Sequence, residues 1–174
     1  MTPSHREFNP DHIPLAFMIT LRAHGTWLHG DPRGSVDRFH NQYGTPRLPS
    51  HPARRSFERG LMKTPPVKLT VKRREAVYRG IRETCKIRNW ALLALNVRSN
   101  HVHSVVTANC PSKKVRAALK ANATRTMRES GCWDSARSPW SGGGSRRFIW
   151  TEQQLTEAID YVLYGQGDLP PEFH

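Results

Sequence analysis

Two short apolar runs, residues 90–97 (WALLALNV) and 101–108 (HVHSVVTA), constrain this chain more than any other feature. Only Arg98, Ser99 and Asn100 separate them. Runs of this length, joined by residues that turn a chain, read as the two strands of a hairpin. The second run also carries two histidines, His101 and His103, two positions apart. On a strand, residues i and i+2 project from the same face. The two imidazoles therefore share one face, and Val102 between them turns into the core.

The remaining elements follow from periodicity. Residues 15–21 (LAFMITL) form an unbroken apolar run and predict a buried strand. Residues 68–89 predict a helix, because Val77, Ile81 and Cys85 recur every fourth position. Ser112 is expected to cap a basic helix that runs to about Ser130. Residues 147–150 (RFIW) suggest a last short strand. Thr151 and Gln154 fit a capping box at the start of a final helix. Leu155, Ala158, Ile159, Val162 and Leu163 give that helix one apolar stripe, which stops near Gly165 and Gly167. Residues 23–66, rich in Gly, Pro, His and Arg, read as a long loop insertion. The expected fold is α+β: a ferredoxin-like (RRM-like) antiparallel sheet with helices on one face and an extra C-terminal helix. The 174 residues suit a single domain, 1–174.

Charge narrows the partner. Lys and Arg number 27 against 14 acidic residues, a formal charge of +13. Such an excess favours a polyanion, with nucleic acid ahead of an anionic membrane surface. A basic surface with no polyanionic partner is the third reading. The cysteines, Cys85, Cys110 and Cys132, are odd in number and form no zinc-finger spacing, so reduced thiols in a cytoplasmic protein are expected. No apolar run approaches spanning length, and the first residues show no signal-peptide pattern, so no membrane partner is expected.

Two chemistries are open to the marked residues. The histidine pair can supply two nitrogen ligands to a divalent metal while leaving positions open for substrate, or it can be two half-exposed strand histidines. Tyr161 falls about 130° from the stripe centre of the last helix, on its flank, and Tyr164 nearly opposite the stripe. Either can cover the core edge. Either can also attack a phosphodiester if a metal offsets the low nucleophilicity of a phenol with a pKa of about 10. Trp27, Trp133 and Trp140 lie in loops among basic residues, where tryptophans either stack on unpaired bases or pack locally.

These residues together resemble the HUH single-tyrosine transposases, especially the REP-associated tyrosine transposases. The resemblance rests on Asn100-His101-Val102-His103 followed by Ser104-Val105-Val106, and on Tyr161-Val162 near the C-terminus, and it covers residues 14–167. It implies that His101 and His103 hold Mg2+ or Mn2+. It implies that Tyr161 becomes linked to a DNA 5′ end, leaving a free 3′-hydroxyl. The implied substrate is single-stranded DNA with hairpins. A homodimer and a bacterial, nucleoid-associated location are implied as well. The family often places an Asn or Gln one helical turn after the tyrosine as third ligand. That position is Gly165 here, so Gln166 becomes the candidate. Lys113, Lys114, Arg116, Lys120 and Arg125 are candidate DNA contacts. The competing readings are a non-catalytic or domesticated binder of structured single-stranded DNA or RNA, and a relaxase or replication-initiator nuclease. An RRM-type binder would want aromatic residues on its central strands, and HVHSVVTA has none. A replication initiator usually carries further domains, and 174 residues give no expectation of a helicase.

Overall fold

The computed structural model describes residues 12–32 and 46–165. Its elements are β1 (Ala16–Arg22), α1 (Pro52–Leu61), α2 (Val71–Ile87), β2 (Ala91–Val97), β3 (His101–Thr107), α3 (Ser112–Glu129), β4 (Arg146–Ile149) and α4 (Glu152–Tyr164). The four strands form one antiparallel sheet in the order β2-β3-β1-β4. With α1 set aside, the order βαββαβ and the central placing of β1 and β3 are those of the expected ferredoxin-like sheet.

Strand alternation divides the sheet into two faces. Phe17, Ile19 and Leu21 of β1 and Val102 and Val106 of β3 meet Val77 and Ile81 of α2 and Val115, Leu119 and Met127 of α3 in the larger core. Ala16 and Met18 of β1, Ala94 of β2, Val105 of β3 and Ile149 of β4 face the other way. There α4 covers them with Leu155, Ala158, Ile159 and Val162. Ala16, Ala94 and Ala158 are small and fully or nearly buried, which lets the helix lie close on the strands. The extra C-terminal helix thus sits on the face that α2 and α3 leave uncovered.

Two local expectations change. The 23–66 insertion is not all loop, because α1 occupies Pro52–Leu61. Pro52 sits in the first turn, and the His51 side chain accepts from the Arg54 N–H. The helix escapes a periodicity search because it buries no residue; Phe57 and Leu61 are exposed. Ser112 is also not a cap. Pro111 takes that position, and Ser112 Oγ instead accepts from Arg146 at 3.0 Å. The Thr151 cap does form: its hydroxyl accepts from the Gln154 N–H, and Gln154 Oε1 accepts from the Trp150 N–H. All three cysteines are free, and burial pushes the Cys85 thiol up to about 11.

Helices α2 and α3 approach closely at Gly80. A Cβ there would strike Thr126 Oγ1 and come within 3.1 Å of the Asn122 carbonyl oxygen. Gly60 in α1 faces open space. Alanine at the two positions should therefore act with opposite sign. Gly80→Ala is expected to lower unfolding free energy by about 1–3 kcal/mol through overpacking. Gly60→Ala should be neutral or stabilising by up to about 1 kcal/mol. Urea unfolding curves of both variants check this, and equal effects would contradict the packing.

Candidate active site

The β1–β3 and β2–β3 registers bring a row of polar residues together beneath α4. Thr20 and Asn96 stand on either side of His103, and Arg22 stands opposite His101. All lie on the α4 face, since they alternate with the core residues Leu21, Val97 and Val102. The shared direction expected of the histidine pair is seen: the two rings lie with centroids 4.7 Å apart.

Hydrogen bonds orient both rings. His101 Nδ1 lies 2.6 Å from Asn100 Oδ1, an amide oxygen that only accepts. Nδ1 must carry the proton in that contact, so Nε2 is the nitrogen that would act as acceptor or ligand in the neutral ring. His103 Nδ1 lies 2.9 Å from Thr20 Oγ1, and the Ser145 hydroxyl donates to the same Thr20 oxygen at 3.0 Å. A metal-ligating histidine ordinarily has its second nitrogen held in this manner.

Tyr161 comes to the same place. Its ring centroid lies 5.6 Å from that of His103, at an interplanar angle of 65°. The side chain remains 44% exposed, which gives a large substrate access to the phenol. Tyr164 is 77% exposed. The helix is positioned by Asn96, which is buried in the sheet and donates from Nδ2 to the Val162 carbonyl at 2.9 Å. Asn96, Thr20 and Ser145 were not singled out from the sequence. The available signal was the period-2 pattern of β1 and β2, which puts Thr20 and Asn96 on the histidine face.

Gln166, the candidate third ligand, lies outside the described residues. Among the described residues, no group of three or more His, Cys, Asp or Glu side chains stands ready for a metal. Two imidazoles on one face, each engaged through Nδ1, fit an open divalent site that takes further ligands from elsewhere.

The five basic candidates of α3 are not brought to the histidines, because α3 packs on the opposite face. Lys113 and Lys114 are exposed. Arg116 donates to the Gly144 carbonyl, and Lys120 donates to the carbonyls of Ser141 and Gly143, each at 2.7 Å. These bonds hold the glycine loop whose next residue, Ser145, reaches Thr20. Gly144 itself has φ +119, and a Cβ there would run into the Thr20 carbonyl oxygen. Arg125 joins Glu129 and Glu83 at 2.9 and 3.1 Å, tying α3 to α2. Trp140 is a core residue, 5% exposed, whose indole N–H reaches Thr124 and the Lys120 carbonyl. Trp133 packs on the larger core with Arg73 over its ring.

Fold and site define a ferredoxin-like α+β protein with a His-x-His strand under a C-terminal tyrosine helix. No protein-family model and no curated protein matches the chain. Among solved structures it is similar to a REP-associated tyrosine transposase bound to a REP hairpin, with a TM-score of 0.50 and 11% identity over 93% of this chain and 70% of that one. At that identity the shared property is the fold. No described helix is long and apolar enough to cross a membrane.

Two outcomes test this arrangement. The Asn96 bond adds a polar tie to the apolar contacts of Leu155, Ala158, Ile159 and Val162 that hold α4 on the sheet. Asn96→Leu should speed amide exchange in α4 about tenfold or more, with α2 and α3 unchanged; uniform acceleration would mean global destabilisation instead. Desolvation, reinforced by the nearby Arg116 charge, lowers the Lys120 ammonium to about 8 from 10.5. Between those values the unfolded chain binds the extra proton, so this group's contribution to stability rises with pH. The melting temperature of the wild type should therefore pull ahead of Lys120→Met between pH 7 and 9.5, and a constant gap would show that the amine keeps its ordinary titration.

Proposed function

We propose that this chain is a transposase-type enzyme that cuts and rejoins single-stranded DNA through a tyrosine, assisted by a divalent metal. The observation that carries the reading is the meeting of Tyr161 with two histidines whose Nδ1 atoms are already engaged. The fold neighbour was solved on a REP hairpin, which supports structured single-stranded DNA as substrate. The charge of +13 supports a polyanion independently.

His101 and His103 would hold Mg2+ or Mn2+ through their Nε2 atoms, with Gln166 as the candidate third ligand supplied by the chain. When bound, such an ion polarises the phosphate and offsets the charge that accumulates during attack. Tyr161 Oη forms a bond to phosphorus as the P–O3′ bond breaks. The phenol loses its proton, and the departing 3′ oxygen takes one up. The 5′-phosphotyrosine conserves the phosphodiester bond energy, so a second 3′-hydroxyl can reverse the step without ATP. Thr20, Asn100 and Ser145 fix the imidazole orientations throughout, and Asn96 keeps α4 in register above them.

A second reading, a non-catalytic or domesticated binder of hairpin DNA or RNA, draws on Gly165, which cannot coordinate at the position one turn after Tyr161. One assay separates the two. Purified protein is incubated with hairpin-bearing single-stranded DNA and Mn2+, and covalent adduct is read on a denaturing gel. Adduct is expected, absent in Tyr161→Phe, retained in Tyr164→Phe, and reduced at least 100-fold in His101→Ala and His103→Ala, in line with loss of a major charge-stabilising group. Tight hairpin binding with no adduct under any condition would establish the binder.

A further inference from the structure

Two arginines flank His101: the Arg98 N–H donates to the His101 carbonyl at 2.8 Å from the β2 side, and Arg22 stands opposite it on β1. The Arg22 Cα pairs with that of His101 across β1 and β3. Directly opposed residues on one face have Cβ atoms about 4.5–5.5 Å apart. Arg22 therefore begins beside His101, just as Thr20 begins beside His103. It ends the strand, and Ser141 donates to its carbonyl.

From that backbone position the guanidinium reaches an aromatic ring. It lies over the Trp27 ring, 4.3 Å from the centroid. Arg47 lies over the same ring at 5.2 Å. Trp27 is half-buried and belongs to the segment immediately after β1. An indole face holds an arginine by cation–π attraction and limits its rotamers. Two guanidiniums on one indole make Trp27 a shelf for cations. That use differs from the base-stacking role open to it in the sequence.

A planar guanidinium at this point has a chemical purpose. A phosphodiester carries one negative charge, and attack by a phenol oxygen gathers more on the two non-bridging oxygens. Arginine donates two parallel N–H bonds to such a pair, and a pre-oriented one loses little freedom in doing so. From the placement beside His101 and the stack on Trp27, we infer that Arg22 grips the scissile phosphate, with Trp27 as its positioning residue. This rests on the tyrosine-nuclease reading above. It adds a phosphate contact from β1, on the side of the histidine pair away from β2.

The test measures the first-order rate of adduct formation at saturating hairpin DNA, together with hairpin affinity in a Tyr161→Phe background. Arg22→Ala should slow adduct formation about 100-fold, the usual effect of removing one donor that stabilises developing charge. Arg22→Lys, which keeps the charge but loses the fork, should slow it about tenfold. Trp27→Leu should fall between wild type and Arg22→Ala. Affinity for the hairpin should change less than threefold in each, and melting temperatures should match the wild type. A residue that merely packs the strand end would shift melting and affinity and leave the saturated rate alone, and that result overturns the inference. Arg22→Lys provides the same reading if Arg22→Ala proves unstable. A wild type that forms no adduct removes the nuclease reading and this inference together. A wild type that forms adduct, with both Arg22 variants at its rate, removes this inference alone.

Discussion

The alternation of β3 sets the geometry of the whole molecule. Val102 and Val106 are buried in the larger core, and His101, His103 and Val105 point the opposite way. A slip of one residue would bury two imidazoles among aliphatic side chains and expose the valines. The register is defended on both edges of the strand, by β1 and by β2. The same packing that stabilises the sheet therefore fixes the direction of the histidines. Polar chemistry on one face is held by apolar burial on the other.

The α4 face is built differently. It buries small residues and leaves a polar row running from Asn96 through His103 to Thr20. Where the row interrupts the apolar surface, hydrophobic contact does not orient the helix. Asn96 resolves this by donating to the helix backbone at Val162. A buried amide bonded to a carbonyl fixes both the depth and the rotation of the helix, as an apolar side chain would not. Tyr161 is the neighbour of Val162, so that bond anchors the helix turn that carries its ring to within 5.6 Å of His103.

The strands, α2 and α4 were legible in the sequence because each carries a local apolar pattern, whereas α3 was placed from a Ser112 cap whose position Pro111 in fact takes. The WALLALNV and HVHSVVTA runs, the fourfold spacing in α2 and the stripe of α4 are all local patterns. So was the shared direction of His101 and His103, which period 2 alone dictates. Helix α1 was hidden because a helix without a buried face has no stripe to find. The roles of Arg116, Lys120 and Arg125 were hidden for another reason. A basic residue looks alike in sequence whether it meets a phosphate or a backbone carbonyl. Only the return of the glycine loop past α3 shows that Arg116 and Lys120 hold carbonyls there.

That loop gives the basic helix a connection to the site that charge alone would not suggest. Lys120 and Arg116 gather the carbonyls of Ser141, Gly143 and Gly144, and the loop then delivers Ser145 to Thr20. Thr20 in turn meets His103 Nδ1. The series runs from one face of the sheet, around its β4 side, to the other face. Cations on α3 are thus coupled to the orientation of an imidazole they never touch. The coupling is mechanical, carried by backbone geometry that a glycine at φ +119 makes possible. A phosphate-binding surface on α3 would have to compete with those carbonyls for the same donors. The exposed Lys113 and Lys114 do not face that competition. Arg22, the last residue of β1, begins opposite His101 and takes no part in that competition for the loop carbonyls.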